Sequence, residues 1–311
     1  MKSLLRYPGG KTRALKHIIP YFPKDLAEMV SPFFGGGSIE IHYAARGARV
    51  HGYDIFEPLT NFWQQVLQHP NGLSNILEKS YHPCSKEEFY QYQEEHGFFR
   101  FDAIERAAMF YTLNRSSFSG ATMSGGHSKE AAEKRFTQSS IDRLRNFVCP
   151  SLTVEQADFT DSLRRHDDET FIYADPPYFL ENSTLYGERG STHKDFDHQR
   201  FAEEIKKKNN WVISYNPHPE ILELYKDYEI VYPEWTMGMK NVYTPEESRV
   251  RKIIKACQET LRDISDDVAF DADRKTIEET QNDLADLLSH HTKPMGKAKE
   301  MLILNTKEKN K

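Results

Sequence analysis

Leu26-Ala27-Glu28-Met29-Val30-Ser31-Pro32-Phe33-Phe34-Gly35-Gly36-Gly37-Ser38 is the stretch that decides the fold. Its apolar first half reads as a short buried strand, which three glycines interrupt. Ser38 can cap a helix over roughly 39–46. Arg49-Val50-His51-Gly52-Tyr53-Asp54 then reads as a second strand that ends on an acid. Strand, glycine turn, helix, strand and acid form the outline of a nucleotide-binding βαβ unit. A carboxylate at Asp54 can accept two hydrogen bonds from a ribose diol. Taken singly, glycines after a strand also make tight turns without a ligand, and Asp54 could equally cap the next helix.

Further along, the apolar run Phe171-Ile172-Tyr173-Ala174 leads directly into Asp175-Pro176-Pro177-Tyr178. These residue types suit chemistry on an exocyclic amine of a nucleobase, whose lone pair is delocalised into the ring. A carboxylate and an adjacent backbone carbonyl can accept both amine hydrogens and favour attack on an electrophilic methyl. The prolines fix φ and carry no N–H, which stiffens the turn and leaves its carbonyls free. Tyr178 offers a flat face for an unstacked base. A strand entering a Pro-Pro turn also occurs in proteins without such chemistry.

Other segments complete an α/β pattern. Leu152-Thr153-Val154 reads as a strand delivering Asp158, which could accept from an adenine amine or serve as a loop or cap aspartate. Residues 181–196 read as a loop, and Asp197 as the cap of a helix over about 198–208. Trp211 to Ser214 reads as another strand, and Tyr228 to Tyr232 with Met301 to Leu304 as an edge hairpin. Residues 59–147 have a helical, aromatic-rich pattern around a Ser/Gly stretch from Ser116 to Ser128. Near the start, Arg6-Tyr7-Pro8-Gly9-Gly10-Lys11 pairs a close-approach turn with an inward-reaching cation, or is an exposed turn with an incidental lysine.

Composition narrows the class. Three cysteines at wide spacing give neither a disulfide framework nor a metal knuckle, so a cytoplasmic protein without metal is expected. No stretch is apolar enough for a signal peptide or a membrane span. The formal charge of −6 argues against a generic nucleic-acid binder. Its distribution weakens that argument: residues 246–296 hold twelve acidic and eight basic side chains, whereas residues 100–145 hold eight basic and five acidic. A local basic face can still hold a polyanion. Within 246–296, Ile253, Ile254, Cys257, Leu261 and Ile264, then Ile277, Leu284, Leu287 and Leu288, recur at helical spacing. Two helices joined near Phe270 are expected there, and Lys307 to Lys311 as a frayed tail.

The ordered motifs RYPGGK, SPFFGGGS, Asp54 and DPPY, with Leu113-Asn114-Arg115-Ser116-Ser117-Phe118-Ser119-Gly120, resemble the Dam-type DNA adenine methyltransferases. The resemblance covers residues 1–58, 105–245 and about 297–306. It implies a Rossmann-like, S-adenosylmethionine-dependent sheet with an inserted helical target-recognition lobe. The implied divisions are a catalytic domain in residues 1–58, 148–245 and 297–311, a lobe at 59–147, and an acidic helical insertion at 246–296. The resemblance implies Phe33, Gly35 and Gly37 around the cofactor methionine and ribose, with Asp54 on the ribose and Asp158 on the adenine. It also implies that Tyr7 and Lys11 close the pocket, that Asp175 and the Pro176 carbonyl hold the target amine, and that Tyr178, with Phe179 extending its wall, stacks on the flipped base. Asn114, Arg115, Ser117, Phe118, Ser119, Lys134 and Arg135 are the expected DNA contacts; Arg115, Lys129, Lys134, Arg135, Arg143 and Arg145 cluster around the Ser/Gly loop and read as phosphate contacts or as a solvated helix face.

Two departures bear on this. The acid that usually precedes Pro-Phe in the cofactor motif is Ser31 here. The arginine that follows Asn-Gly in GATC-methylating members is missing from Ser119-Gly120-Ala121-Thr122-Met123, so GATC is not the expected target. The expected partners are double-stranded DNA and a cognate restriction endonuclease, in restriction–modification or phage and host DNA protection. The chain is expected to be a monomer, or a homodimer through 246–296. Two alternatives stand beside adenine-N6 transfer: methylation of cytosine's exocyclic amine, where the tetrapeptide more often begins with Ser, and a DNA-binding subunit without transfer. Cofactor-dependent labelling of DNA separates the last from the enzymes.

Overall fold

A computed structural model of the chain describes residues 1–95, 101–179, 196–233 and 300–306. The expected helices of 246–296, their proposed dimer contact, the loop 181–195 and the tail 307–311 lie outside these residues. Seven strands form one sheet: β1 Glu28–Ser31, β2 Arg49–Asp54, β3 Leu152–Gln156, β4 Phe171–Ala174, β5 Trp211–Tyr215, β6 Glu229–Val231 and β7 Met301–Asn305. Their order is β3-β2-β1-β4-β5-β7-β6.

The pairs from β3 to β5 are parallel, with Val30 against His51 on one side and Ile172 on the other. β7 runs antiparallel to both β5 and β6. The edge hairpin expected of the last two strands is thus an antiparallel pair whose later strand lies inside, between β5 and β6. Strands β4 and β5 are buried along their whole length, which is why their sequences run apolar without alternation. Val30, Ile172, Ala174, Trp211, Ile213 and Ile303 form the centre of the core. Among the described residues no helix is long and apolar enough to cross a membrane.

Chain order reverses between β1 and β4, so the carboxyl ends of these neighbours open a crevice of the kind that collects ligands in open α/β sheets. Ser31-Pro32-Phe33 leaves one end and Asp175-Pro176 leaves the other. The helix after β1 spans Ser38–Ala44, but its cap is not Ser38. Gly37, in the left-handed region at φ 63°, precedes it, and Ser38 is the first helical residue. The Ser38 hydroxyl lies 3.0 Å from Thr12 Oγ1 instead, tying the N-terminal segment to the helix. A Cβ on Gly37 would come within 2.5 Å of the Phe34 ring, so both the dihedral and the space require glycine.

The helix Glu57–Gln68 packs on the sheet: Trp63 Nε1 donates to Gly35 O at 3.1 Å and Gln64 Nε2 to Val154 O at 3.1 Å. The helix Ala103–Ser116 starts on a reciprocal Asp102–Glu105 capping box and is buried from Ala107 to Asn114. Ser117 to His127 then forms a closed loop, with Phe118 N donating to Gly126 O at 3.0 Å and Ser128 N to Ser116 O at 2.8 Å.

Candidate active site

A cavity of about 630 Å³ opens at the carboxyl ends of β1, β2 and β4, within the size range of small-molecule sites. Tyr7, Lys11, Phe33, Gly35, Gly37, Asp54, Asp158, Asp175, Pro176 and Tyr178 all line it, so every expected cofactor and catalytic residue reaches one space.

Asp54 ends β2, and its side chain organises the glycine turn. Gly35 N donates to Oδ2 at 3.0 Å and Phe56 N to Oδ1 at 3.0 Å. Each oxygen keeps a further lone pair, so holding the turn and accepting hydroxyls are compatible. Burial pushes the Asp54 carboxyl up, against these two donors. The Tyr7 ring lies against the turn, since a Cβ on Gly35 would sit 3.0 Å from Tyr7 Cε1. Phe33 packs edge-on to Phe196 and Phe201, with centroids 5.5 and 5.2 Å away, giving the cavity an aromatic wall.

Asp158 follows β3 and serves as a cap: Oδ1 accepts from Thr160 N at 2.9 Å at the start of the helix Phe159–Arg164. Its other oxygen accepts from the Arg200 guanidinium at 2.7 Å, and Arg200 also lies over the Phe159 ring at 4.4 Å. Sequence reasoning missed Arg200, which sits one turn into the helix His198–Ile205. Its helical context there gives no sign that it faces the cavity.

The Ser31 departure has a structural counterpart. Ser31 Oγ donates to Glu40 Oε1 at 2.8 Å, so an acid reaches the end of β1 from the following helix. Glu40 is buried and lines the cavity. Burial raises its carboxyl from 4.5 to about 7, against hydrogen bonds from the backbone and from Ser31, and with Asp175 adding to the rise. Because the folded value exceeds the unfolded one, Glu40 favours the folded state below about pH 4.5, and this contribution disappears as pH rises through about 7. Glu40→Gln is therefore expected to match the wild type in stability near pH 4 and to exceed it by up to about 3 kcal/mol near pH 8. Denaturant titrations at both pH values measure this difference; equal gains at the two would count against a buried, titrating Glu40.

Asp175 follows β4, and Lys11 dominates its surroundings. The ammonium lies 2.7 Å from both Asp175 oxygens, 2.8 Å from the Tyr178 hydroxyl and 3.1 Å from Gly9 O. Glu300 Oε1, at the start of β7, lies 3.2 Å away. The buried Glu300 is the third residue the sequence did not reveal, because its role depends on how the chain re-enters the sheet. Burial lifts Asp175 to about 6; Lys11 pulls it down and Glu300 pushes it up. Phe179 stacks on His218 with centroids 4.0 Å apart, which sets the chain direction beyond Tyr178.

The implied DNA contacts divide into two groups. Asn114 and Ser117, both expected as DNA contacts, are buried here and turn inward. Asn114 Oδ1 accepts from Arg6 N at 3.1 Å, and its Nδ2 lies 2.9 Å from Arg6 O, 3.2 Å from Gly120 O and 3.0 Å from Thr122 Oγ1. Ser117 Oγ accepts from Thr122 N at 3.0 Å. Arg115 directs Nε at 2.9 Å, and a second guanidinium N–H, to the Arg135 carbonyl, so these donors brace the lobe. Arg145 is engaged by Glu78 at 2.7 Å and Asp142 at 3.1 Å. By contrast, Phe118 is 67% exposed at the loop tip, beside Ser119 at φ 55°. Lys134 also faces outward, in an exposed i,i+4 pair with Glu130.

A parallel sheet with an antiparallel seventh strand, a glycine turn and a strand-end acid beside Asp-Pro-Pro-Tyr define the architecture of a nucleobase-amine methyltransferase. The chain matches the D12 class N6 adenine-specific DNA methyltransferases over residues 7–239 and belongs to that family. It is 26% identical over 250 residues to the type II methyltransferase M1.LlaDCHI of Lactococcus lactis subsp. cremoris, spanning 74% of this chain and 86% of that protein. It is 26% identical over 192 residues to the DNA adenine methylase of Escherichia coli K12, spanning 57% of this chain and 65% of the relative. With the type II methyltransferase M.CviBI of a Paramecium bursaria Chlorella virus it shares 23% identity over 184 residues, 57% of this chain and 69% of that protein. The class depends on S-adenosylmethionine.

The cavity suits that cofactor. Among the described residues Glu40, Asp54, Asp158, Asp175 and Asp197 line it against Lys11 and Arg200, so its walls are acidic overall and complement a ligand carrying sulfonium and ammonium charges.

Proposed function

We propose that this chain methylates the exocyclic N6 amine of adenine in duplex DNA, with the base turned out of the helix into the cavity beside Asp175. The observation that carries this reading is a single cavity shared by Asp54, the glycine turn and Asp175 at adjacent strand ends. S-adenosylmethionine, when bound, supplies the methyl group on its sulfonium. Asp54 accepts from its ribose, Phe33, Gly35 and Gly37 wall its methionine and ribose, and Asp158, held by Arg200, faces its adenine. Tyr7 and Lys11 close the N-terminal side.

For the target base, the Asp175 carboxylate and the Pro176 carbonyl accept the two amine hydrogens and raise electron density on nitrogen as it attacks. Tyr178 stacks on the base, which returns part of the few kcal/mol spent in unstacking it. These residues act by positioning and by stabilising developing charge. Residues 59–147 form the target-recognition lobe of this reading. Its loop tip, Phe118 and Ser119, contacts the duplex, and Lys134 and Arg135 meet phosphates. Asn114, Arg115 and Ser117 act from behind, by fixing the loop. The type II names among the relatives favour use in restriction–modification beside a cognate endonuclease.

Incubation with unmethylated duplex DNA and S-adenosylmethionine, followed by digestion to nucleosides and mass analysis, tests the assignment. N6-methyladenosine is the expected product; N4-methylcytosine, or no modified nucleoside, would sink it. GATC sites in the same DNA are expected to stay unmodified, because Ala121 to Met123 offer no arginine for bidentate readout of guanine. Protection of GATC sites from a methylation-blocked endonuclease would refute that part.

A further inference from the structure

Lys11 presents a problem that the proposed chemistry must solve. At least five oxygens lie within 3.2 Å of its ammonium: both of Asp175, the Tyr178 hydroxyl, Gly9 O and Glu300 Oε1. An ammonium has three hydrogens, so these acceptors compete. Each Asp175 oxygen keeps a lone pair for the target amine, but while Lys11 holds both oxygens the cation draws off their electron density and fixes their direction, which weakens Asp175 as an acceptor. Lys11 is itself buried, and a buried cation left without its counter-ion is strongly disfavoured. Glu300 resolves the conflict. It is buried, Lys11 is its only cation among the described residues, and the Tyr178 hydroxyl lies beside it as well.

We propose that Glu300 is a positioning residue, which takes over the Lys11 ammonium when Asp175 turns to the target amine. A second carboxylate on the far side lets the cation shift from one acid to the other without ever being unpaired. The cost of freeing Asp175 falls accordingly. Glu300 touches neither base nor cofactor in this scheme; it acts through Lys11. The inference rests on the reading of Asp175 as the amine acceptor.

The charged and titratable groups facing Asp175 are Lys11, Glu300, Glu40 and the hydroxyls of Tyr173, Tyr178 and Tyr215. Of these, Glu300 is the carboxylate that shares the Lys11 ammonium with Asp175, whereas burial raises the Glu40 carboxyl to about 7. Removing the Glu300 charge lowers the Asp175 carboxyl, so the acid limb of the rate profile moves to lower pH even as the maximum rate drops. A residue that merely supports the fold would not move that limb.

The test measures single-turnover methyl transfer to unmethylated duplex DNA across pH, with calorimetric titration of S-adenosylmethionine into the same full-length proteins. Glu300→Gln is expected to slow transfer about tenfold or more, keep cofactor affinity within about threefold, and shift the acid limb downward. In a Lys11→Met background, Glu300→Gln is expected to add no further loss, because its effect passes through Lys11. Wild-type transfer, an unmoved acid limb, or a multiplicative loss in the double variant overturns the proposal. Glu300→Asp covers a Glu300→Gln protein that does not fold. It keeps the charge on a shorter stem, so a severalfold slower rate with the wild-type limb supports the hand-off, and a wild-type rate overturns it. Asp175→Ala is run alongside: if it transfers methyl normally, the reading of the site itself fails. If it is inactive while Glu300→Gln behaves as wild type, only the role of Glu300 falls.

Discussion

Asp175→Ala is expected to slow methyl transfer by about 10²–10³-fold or more, the range seen when one preorganised group that stabilises developing charge is removed. An adenine amine attacks poorly because its lone pair belongs to the ring, and Asp175 is the one carboxylate at the end of β4 able to draw off its hydrogen. The variant should nevertheless fold. In the wild type Lys11 carries two counter-ions, so losing Asp175 leaves a matched Lys11–Glu300 pair instead of an isolated buried cation. Cofactor affinity should change little, since Asp54, Phe33 and the glycine turn keep their places. Asp175→Asn preserves shape and one acceptor and should fall between the two proteins. The measurements are single-turnover labelling, calorimetric binding of S-adenosylmethionine and thermal unfolding. Transfer in Asp175→Ala within tenfold of wild type would remove the tetrapeptide from the chemistry.

Gly120→Ala should produce the largest structural effect. Gly120 adopts φ 76°, and a Cβ there would lie 2.1 Å from the carbonyl oxygen of Arg6. The clashing atom is backbone, which has no rotamer to escape into. Separation of the two segments would also pull Arg6 from Asn114, whose amide then lies buried without the partners it now has at 2.9 and 3.1 Å. Left-handed strain, the clash and the unsatisfied amide together are expected to cost on the order of 3 kcal/mol or more. For a chain of this size that lowers Tm by roughly 5–10 °C. Lys11 follows Arg6 by five positions, so methyl transfer should fall more than the folded fraction does. Calorimetric melting together with specific activity at low temperature checks both parts. A Gly120→Ala protein that melts with the wild type would show that the loop and the N-terminal segment do not depend on this contact.

The two variants probe different kinds of information. Asp175 announces itself locally: four apolar residues followed by Asp-Pro-Pro-Tyr can be read without knowing any neighbour. The same holds for Asp54, where strand, glycines, helix and strand follow in order, and for the Arg49–Asp54 and Phe171–Ala174 strands. Gly120 is different. Nothing in Ser119-Gly120-Ala121 shows that Arg6 lies against it. The burial of Asn114 and Ser117 is equally illegible: polar residues in a basic, loop-forming segment carry no sign of it, and only long-range packing turns them inward.

The strand-end acids and the glycine turn were therefore determined by the sequence itself, because periodicity, apolar runs and the φ restrictions of Gly and Pro act over a few residues. The tertiary structure alone decided that Arg200 meets Asp158, that Glu40 brings an acid to the place of Ser31, and that β7 enters between β5 and β6. It also carried Glu300 from the far end of the chain to Lys11. Each of these is a pairing of charges or strands distant in sequence, set by how the sheet closes its core, and such pairings leave no local pattern to read.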